Sequence, residues 1–330
     1  MLTKRWLYEI DSQISGRGRP RIPLAIDGIA WRTLGLSVRP DGVSCARITP
    51  KGEVEMVIPG SEGPTDSRNV VQRAAEMVSQ HLDSSVLSIG LCVPGFADYE
   101  NRRLLLSTVS PGLRGLSLQP IFDVAGDCPI VLDNDMSAVA ARWWHHATPK
   151  SNKTTLVIQT NDEAIGAAIM INGKPNFGSV LGGAELGHMR FPIETDLCSC
   201  GRRGCLARIF SSSHLKRITR NRMVTLEEGL AQFEQGEDDM QPLIEVLGMG
   251  ISNAVNLVRP HRLVMVTRYA DHPRFIKTIE QLIRNDTLDD IADKMKVTIW
   301  PKANSDNAIE AAFLALAAVY SEDWRNASRV

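Results

Sequence analysis

The sequence has almost no net charge and no long apolar run. Its 37 lysines and arginines are balanced by 38 aspartates and glutamates, so the formal net charge is −1. Any attraction to nucleic acid or to an anionic membrane must therefore be local. No apolar stretch approaches the ~20 residues that span a bilayer, and residues 1–15 lack the apolar core of a signal peptide. We therefore expect a cytoplasmic protein that makes no contact with a membrane.

Low-complexity segments and short repeats are also missing, and 330 residues suffice for about two domains. Three β-like runs separated by turn signals at residues 40–42 and 50–52 predict an antiparallel meander over residues 33–58. A helix over residues 70–81 and a buried strand over residues 86–93 follow. Further predicted elements are strands at 130–132, 155–158, 164–171, 263–266 and 297–300, a helix from about 134 to 146, and a last helix over 308–320 capped by Ser305. This alternation predicts an α/β protein with two similar halves.

Cysteine is scarce, with six residues in 330, but three of the six are clustered. Residues 198–205 read Cys-Ser-Cys-Gly-Arg-Arg-Gly-Cys, and the two glycines allow the backbone to fold the thiols around one centre. In a reducing compartment such clusters favour a metal site over a disulfide framework. His188 is the best-placed fourth ligand for a tetrahedral zinc ion. The predicted structural zinc ligands are His188, Cys198, Cys200 and Cys205. Three reduced thiols or a Cys198–Cys205 disulfide are the alternatives.

One short segment is strongly basic, since residues 15–21 read Ser-Gly-Arg-Gly-Arg-Pro-Arg. Glycine and proline predict an extended linker here and exclude a helix. Arg17, Arg19 and Arg21 on such a segment are candidates for contact with DNA, because arginines enter narrow A·T-rich minor grooves. They would supply affinity but little sequence information. The alternative is a solvated linker without a nucleic-acid role.

Four motifs resemble those of the ROK family (repressor, open reading frame, kinase). Residues 183–188 (Gly-Ala-Glu-Leu-Gly-His) and the cysteine loop 198–207 are similar to the family's signature, which joins a Gly-Glu-x-Gly-His segment to a Cys-x-Cys-Gly-x-x-Gly-Cys-x-Glu loop. Residues 90–98 and 134–141 are similar to its Gly-x-x-x-Pro-Gly-x-x-Asp and Asn-Asp segments. The likeness covers about residues 22 to 325.

The resemblance implies the actin-like, hexokinase-type (ribonuclease H-like) fold, with two α/β domains around a cleft. On this basis, residues 1–21 are a basic linker or the remnant of a winged-helix domain. Residues 22–149, with the C-terminal helix within 308–330, form the first α/β domain. Residues 150–307 form the second, which carries the zinc loop 188–205. A homodimer or homotetramer is also implied.

The resemblance further implies that four residues contact sugar hydroxyls, namely Asn134, Asp135, Glu185 and His188. Asp135 stands where the family's kinases have their catalytic base, and an aspartate beside a hydroxyl has the chemistry for that role. Asn134 or Asp133 could instead cap the helix that follows. The glutamate that ends the family's cysteine loop is replaced by Ala207, so the effector could differ from glucose-like sugars or be absent.

The segments that bind nucleotide in the family's kinases are all altered. An Asp-x-Gly-Gly-Thr loop is replaced by residues 37–41, Ser-Val-Arg-Pro-Asp, and a glycine-rich second loop by residues 162–168, Asp-Glu-Ala-Ile-Gly-Ala-Ala. A Gly-Gly pair is replaced by Thr267-Arg268. Phosphates need close backbone approach and no nearby carboxylates, so we expect no ATP binding and a vestigial Asp135.

The family's repressors combine sugar-binding motifs, altered ATP loops and a basic linker. The resemblance therefore implies a non-catalytic regulator of carbohydrate-utilisation genes, which binds a sugar or sugar-phosphate effector and a structural zinc ion. DNA would be bound through an upstream domain or through residues 17–21. Two alternatives remain open, an ATP-dependent, glucokinase-like sugar kinase and a remnant that acts through protein partners.

Overall fold

A computed structural model of the chain describes residues 7–9, 24–39, 42–60, 67–107, 111–147, 153–162, 164–176, 184–220, 225–302 and 306–320. The basic segment 15–21 with its three arginines, Glu163, Gly183 and the expected cap Ser305 lie outside these ranges. The chain forms two compact units. The first comprises residues 1–106, 112–145 and 305–330, and the second comprises residues 107–111 and 146–304.

The first unit contains nine strands and four helices among its described residues. The strands are β1 (Leu7–Glu9), β2 (Leu24–Ile26), β3 (Arg32–Arg39), β4 (Gly42–Ile48), β5 (Val54–Ile58), β6 (Val86–Val93), β7 (Phe96–Asp98), β8 (Arg103–Leu106) and β9 (Ile130–Asn134). The helices are α1 (Ser67–His81), α2 (Gln119–Ala125), α3 (Asp135–His146) and α10 (Asp306–Tyr320). The predicted meander, first helix and buried strand are confirmed.

The main sheet of the first unit has the strand order β5-β4-β3-β6-β9. The neighbours β3 and β4, and β4 and β5, are antiparallel, whereas β3, β6 and β9 run parallel to one another. Helix α1 covers one face, where Val70, Ala74 and Val78 are buried at helical spacing. Crossover helices are needed because parallel neighbours cannot be joined by tight turns.

Helix α10 lies on the opposite face of this sheet at backbone contact distance. A Cβ atom on Gly35 would lie 2.1 Å from the carbonyl oxygen of Ala308, and one on Gly90 would lie 1.8 Å from that of Ala311. The hydroxyl of Thr33 donates to the carbonyl oxygen of Ala312 over 3.0 Å. Only glycine permits so close an approach of a helix to strands β3 and β6.

The second unit contains five strands and six helices among its described residues. The strands are β10 (Thr155–Thr160), β11 (Ile165–Ile171), β12 (Lys174–Asn176), β13 (Arg262–Thr267) and β14 (Lys296–Pro301). The helices are α4 (Leu206–Ile209), α5 (Ser212–Ile218), α6 (Leu226–Glu234), α7 (Gln241–Val258), α8 (Pro273–Asn285) and α9 (Asp289–Ala292).

The sheet of the second unit has the order β12-β11-β10-β13-β14, in which β10, β13 and β14 are parallel and the other pairs are antiparallel. Asn172 and Gly173 have φ values of 52° and 77°, which suits the two-residue hairpin between β11 and β12. Helix α7 buries Leu243, Leu247 and Ile251 against the sheet, as their spacing predicts.

No helix among the described residues combines the length and the apolar character required to cross a membrane.

Candidate metal centre and ligand-binding residues

A short 3-10 turn, Leu186–His188, holds Glu185 and His188 side by side. The backbone N–H of His188 donates to the carbonyl oxygen of Glu185 over 3.1 Å. Residues three apart eclipse one another in such a turn, and the Oε2 atom of Glu185 lies 3.7 Å from Nε2 of His188. Gly187 allows this turn to lie against β11, because a Cβ there would be 2.3 Å from the carbonyl oxygen of Ile165.

The cysteine loop folds back on itself through backbone hydrogen bonds. Phe191 N–H donates to the Gly204 carbonyl and Cys198 N–H to the Arg202 carbonyl, each over 2.8 Å. Gly204 has a φ of 78°, and a Cβ there would lie 2.3 Å from the Phe191 carbonyl oxygen. Glycine at this position is therefore required for the loop to close.

This loop and the 3-10 turn together bring four metal-binding side chains to one point. Their ligand atoms all lie within 4.8 Å of one another. The Sγ atom of Cys198 is 3.6 Å from Nδ1 of His188, and the Sγ atoms of Cys200 and Cys205 are 3.5 Å apart. A zinc tetrahedron with ordinary bond lengths has edges of about 3.5 to 3.8 Å. The four side chains, His188, Cys198, Cys200 and Cys205, therefore fit a zinc ion in both spacing and donor type.

The pKa values of two of these residues determine what a metal ion must displace on binding. All six cysteines of the chain are free thiols. Burial raises the pKa of the Cys205 thiol to about 12, so a metal ion must displace its proton. Burial, with help from Arg202 and Arg208, lowers the pKa of His188 and keeps its ring neutral, which is the form that binds metals.

The first unit places Asn134 and Asp135 at the carboxyl edge of its sheet, where β9 ends and α3 begins. The side-chain oxygen of Asn134 accepts a hydrogen bond from the backbone N–H of Ser137 over 2.8 Å, so Asn134 is the N-cap of α3. The predicted helix accordingly starts one residue later, at Asp135. The Oδ2 atom of Asp135 lies 4.0 Å from the Nη1 atom of Arg39, the last residue of β3.

Asp133 is a titratable group at this edge whose properties the sequence did not reveal. Burial raises the pKa of its carboxyl group to about 7, against lowering contributions from hydrogen bonds with Asn134 and Ser137. The backbone N–H of Asn134 donates to its Oδ1 atom over 2.6 Å. The usable sequence signal is an aspartate at the end of a buried parallel strand, where desolvation is strongest.

At the corresponding edge of the second sheet, the carboxylate of Asp162 is bound within the chain. Its two oxygens accept hydrogen bonds from the backbone N–H and the hydroxyl of Ser212, over 2.8 and 2.6 Å. The Ser212 hydroxyl oxygen in turn accepts from the backbone N–H of Leu226 over 2.7 Å. Residues far apart in sequence make this network, and no local motif predicts it.

The second unit thus assembles Glu185, His188 and the three cysteines, while Asn134 and Asp135 belong to the first unit. Ala207 is buried beside the 3-10 turn, and a Cβ on Gly187 would lie 3.3 Å from its own Cβ. A methyl group therefore stands beside the turn at the position where the resembling family carries a glutamate. The candidate DNA contacts Arg17, Arg19 and Arg21 lie outside the described residues.

The family model described as "ROK family" matches residues 57–318. The chain belongs to the ROK family. This match includes strands β6 and β9 of the first sheet, the cysteine loop and most of α10, whereas β3 and β4 precede it. Parts of both units of this ROK protein are therefore matched.

The curated relatives are sugar kinases at low identity. The N-acetyl-D-glucosamine kinase of Salmonella paratyphi B (strain ATCC BAA-1250 / SPB7) is 26% identical over an alignment of 197 residues that covers 54% of this chain. The aligned part spans 64% of that relative's length.

Solved structures of both a regulator and a kinase share the fold. A ROK family transcriptional regulator, a homologue of the E. coli MLC protein, superposes with a TM-score of 0.78 at 22% identity, covering 96% of this chain and 86% of its own. A ROK family glucokinase from Streptomyces griseus, solved with glucose and AMPPNP, gives 0.71 at 19% identity, covering 86% of this chain and 99% of its own. The predicted actin-like, hexokinase-type α/β fold is confirmed.

Proposed function

We propose that this ROK protein is a sugar-responsive transcriptional regulator that does not transfer phosphate. The observation that carries the proposal is the carboxylate of Asp162, which already takes the backbone N–H and hydroxyl of Ser212 at the carboxyl edge of the second sheet. The glycine-rich loop expected of a kinase is absent there. An anionic nucleotide would meet a carboxylate at a place where phosphate binding needs free donors.

The side chain at the end of β13 is also hydrogen-bonded within the chain. The hydroxyl of Thr267 accepts from the Thr160 hydroxyl over 2.9 Å and from the Tyr269 backbone N–H over 3.1 Å. Side chains therefore stand where the family's kinases have a glycine pair.

Support for a role with DNA comes from the strands that flank the basic segment. Strands β1 and β2 pair antiparallel, with Leu7 opposite Ile26 and Glu9 opposite Leu24. The basic segment therefore belongs to the connection between two paired strands, and β-ribbons and basic arms are established DNA-binding elements. An upstream domain would add sequence recognition, and we expect the regulator to work as a homodimer or homotetramer.

We also propose that the cluster around His188 holds a structural zinc ion. Four protein donors would complete the tetrahedron and leave no position for a reactive water. When bound, the ion supplies a fixed crosslink between the 3-10 turn and the cysteine loop. The effector, a sugar or sugar phosphate, would be held by Asn134, Asp135, Glu185 and His188. Carboxylate, amide and imidazole groups suit hydroxyls.

The test of DNA binding compares charge-removal variants by fluorescence anisotropy across a series of salt concentrations. The probe is double-stranded DNA from the region upstream of the chain's own reading frame. If Arg17, Arg19 and Arg21 contact phosphates, their joint replacement by alanine makes the negative slope of log K against log salt shallower by about 2 to 3. The control replaces three exposed lysines of the second unit, Lys277, Lys294 and Lys296, and should leave the slope unchanged. Equal slopes for the two variants would reject the contact.

A sugar kinase is the second candidate, because curated relatives are named N-acetyl-D-glucosamine kinase. A coupled assay of ADP release with N-acetyl-D-glucosamine, glucose and N-acetylmannosamine distinguishes the two. We expect no turnover above the background of the Asp135→Asn variant. Turnover that this variant abolishes would establish the kinase and overturn the proposal.

A further inference from the structure

The carboxylate of Glu185 lies against the edge of the His188 ring that faces away from the cysteines. The Nδ1 atom of His188 is 3.6 Å from Sγ of Cys198, whereas its Nε2 atom is 3.7 Å from Oε2 of Glu185. The imidazole is therefore placed between a thiol on one side and a carboxylate on the other.

Both ends of the 3-10 turn are fixed, so the backbone holds residues 185 and 188 in neighbouring positions. Before the turn, Ala184 forms a β-bridge with Ala167 of β11. After it, the carbonyl oxygen of Met189 accepts from the backbone N–H of Leu206 over 2.9 Å. Gly187 is wedged against the carbonyl oxygen of Ile165.

A histidine that binds a metal through one ring nitrogen commonly donates its other N–H to a carboxylate. That hydrogen bond fixes the tautomer, the ring orientation and the basicity of the ligand nitrogen. The tautomer required here is the one with the proton on Nε2, because Nδ1 faces the thiols.

We propose that Glu185 is a positioning residue of the metal centre. Its carboxylate, 3.7 Å from Nε2 in this structure, would close on His188 to accept the Nε2–H bond and so direct Nδ1 toward an ion held by the three cysteines. This role rests on the proposed zinc centre and assigns Glu185 a task beyond contact with a sugar hydroxyl. Because one carboxylate serves both partners, the metal centre and the effector share an acceptor.

The test measures zinc release from the purified full chain loaded with one equivalent of zinc. Transfer to excess chromogenic chelator gives a rate for the wild type and for the Glu185→Ala, Glu185→Gln and Glu194→Gln variants. The last replaces an exposed glutamate of the same segment and serves as the control. No sugar or DNA is needed, so the result is independent of effector binding.

We expect Glu185→Ala to release zinc about 10 to 100 times faster than the wild type, because removal of such a carboxylate partner lowers metal affinity by about that factor. Glu185→Gln should fall between the two, since its amide oxygen still accepts the N–H bond without the negative charge. With cobalt in place of zinc, the alanine variant should also change the visible d–d bands, which report ligand geometry.

Release from Glu185→Ala at the rate of the Glu194→Gln control, with unchanged cobalt bands, would overturn the positioning role while leaving a zinc centre in place. A wild type that retains no zinc would overturn the metal centre and this role together. Circular dichroism shows whether each variant is folded. If Glu185→Ala is misfolded, the release rate of a folded Glu185→Gln variant decides the question.

Discussion

The two units contain separate sheets with the same strand order, but helices cover the two sheets in different ways. Each has three antiparallel strands followed by two parallel ones, in the orders β5-β4-β3-β6-β9 and β12-β11-β10-β13-β14. The first sheet receives α10 at backbone contact over Gly35 and Gly90. The second is covered by large side chains of α7 and α8. The shared strand order fixes the architecture, but packing is specified separately in each unit.

The carboxyl edges of the two sheets differ in the exposure and hydrogen bonding of their polar side chains. In the first unit, Asp135 and Arg39 are both more than a third exposed and lie 4.0 Å apart. In the second unit, Asp162 is half-buried and makes two short hydrogen bonds with Ser212. The carboxyl edge of the first sheet thus carries exposed polar side chains, whereas that of the second is closed by hydrogen bonds within the chain.

The largest expected effect tests the backbone contact of α10. Gly90→Ala would place a Cβ 1.8 Å from the Ala311 carbonyl oxygen, and we expect a loss of about 3 kcal/mol or more in the free energy of unfolding. Gly112→Ala is the matched control, since nothing lies within 4 Å of a Cβ there. Urea unfolding followed by circular dichroism measures both. Similar midpoints for the two variants would show that α10 moves away at little cost.

The next effect depends on pH and concerns Asp133. The unfolded chain ionises this group near its usual pKa of 3.8, whereas the folded unit keeps the proton up to about pH 7 because of burial. Wild-type stability should therefore fall as the pH rises through this interval, by at most about 1.4 kcal/mol per unit, and level off above about pH 7. Asp133→Asn cannot ionise and should lose this dependence.

The measurement is the difference in urea midpoint between Asp133→Asn and the wild type at several pH values. It should grow in favour of the variant from about pH 4 to about pH 7. A difference that stays constant with pH would mean that the carboxyl group ionises freely in the folded unit.

A smaller effect tests the closed edge of the second sheet. Asp162→Ala removes a charged acceptor from the Ser212 N–H and hydroxyl, and we expect a loss of about 1.5 to 3 kcal/mol in the free energy of unfolding. The Ser212→Ala variant and the double variant complete a mutant cycle. Strictly additive losses would contradict a direct bond between the two side chains.

The smallest effect is expected at the open edge of the first sheet. Arg39→Ala should change the free energy of unfolding by less than about 0.5 kcal/mol, since an exposed ion pair contributes little. Thermal unfolding in low and high salt measures it. A loss as large as that of Asp162→Ala would remove the contrast between the two edges.

Strand and helix positions were predictable from the sequence because their periodicity survives in the fold. The runs at residues 33–58 and the helix at 70–81 lie where the pattern places them. The clustering of four metal-binding side chains was also predictable, since three of them lie within eight residues. Local chemistry was sufficient in each of these cases.

Contacts between distant segments were not predictable. Asp162 meets Ser212 across 50 residues, and the Thr33 hydroxyl meets the Ala312 carbonyl across 279. The pKa of Asp133 depends on burial, which arises only when β9 is enclosed by its neighbours. For Asn134 the sequence left two roles open, sugar binding and helix capping. Its side chain bonds the Ser137 N–H because α3 begins at the next residue.

The placement of α10 has a consequence for synthesis on the ribosome. Strand β3 emerges early, yet the helix that covers Gly35 and Gly90 follows the entire second unit in the sequence. The first unit therefore cannot complete its fold until the second unit has been synthesised. Until then, the apolar sheet face that α10 covers stays exposed. Such long-range closure slows folding, and it makes this face the surface on which a chaperone would act during translation.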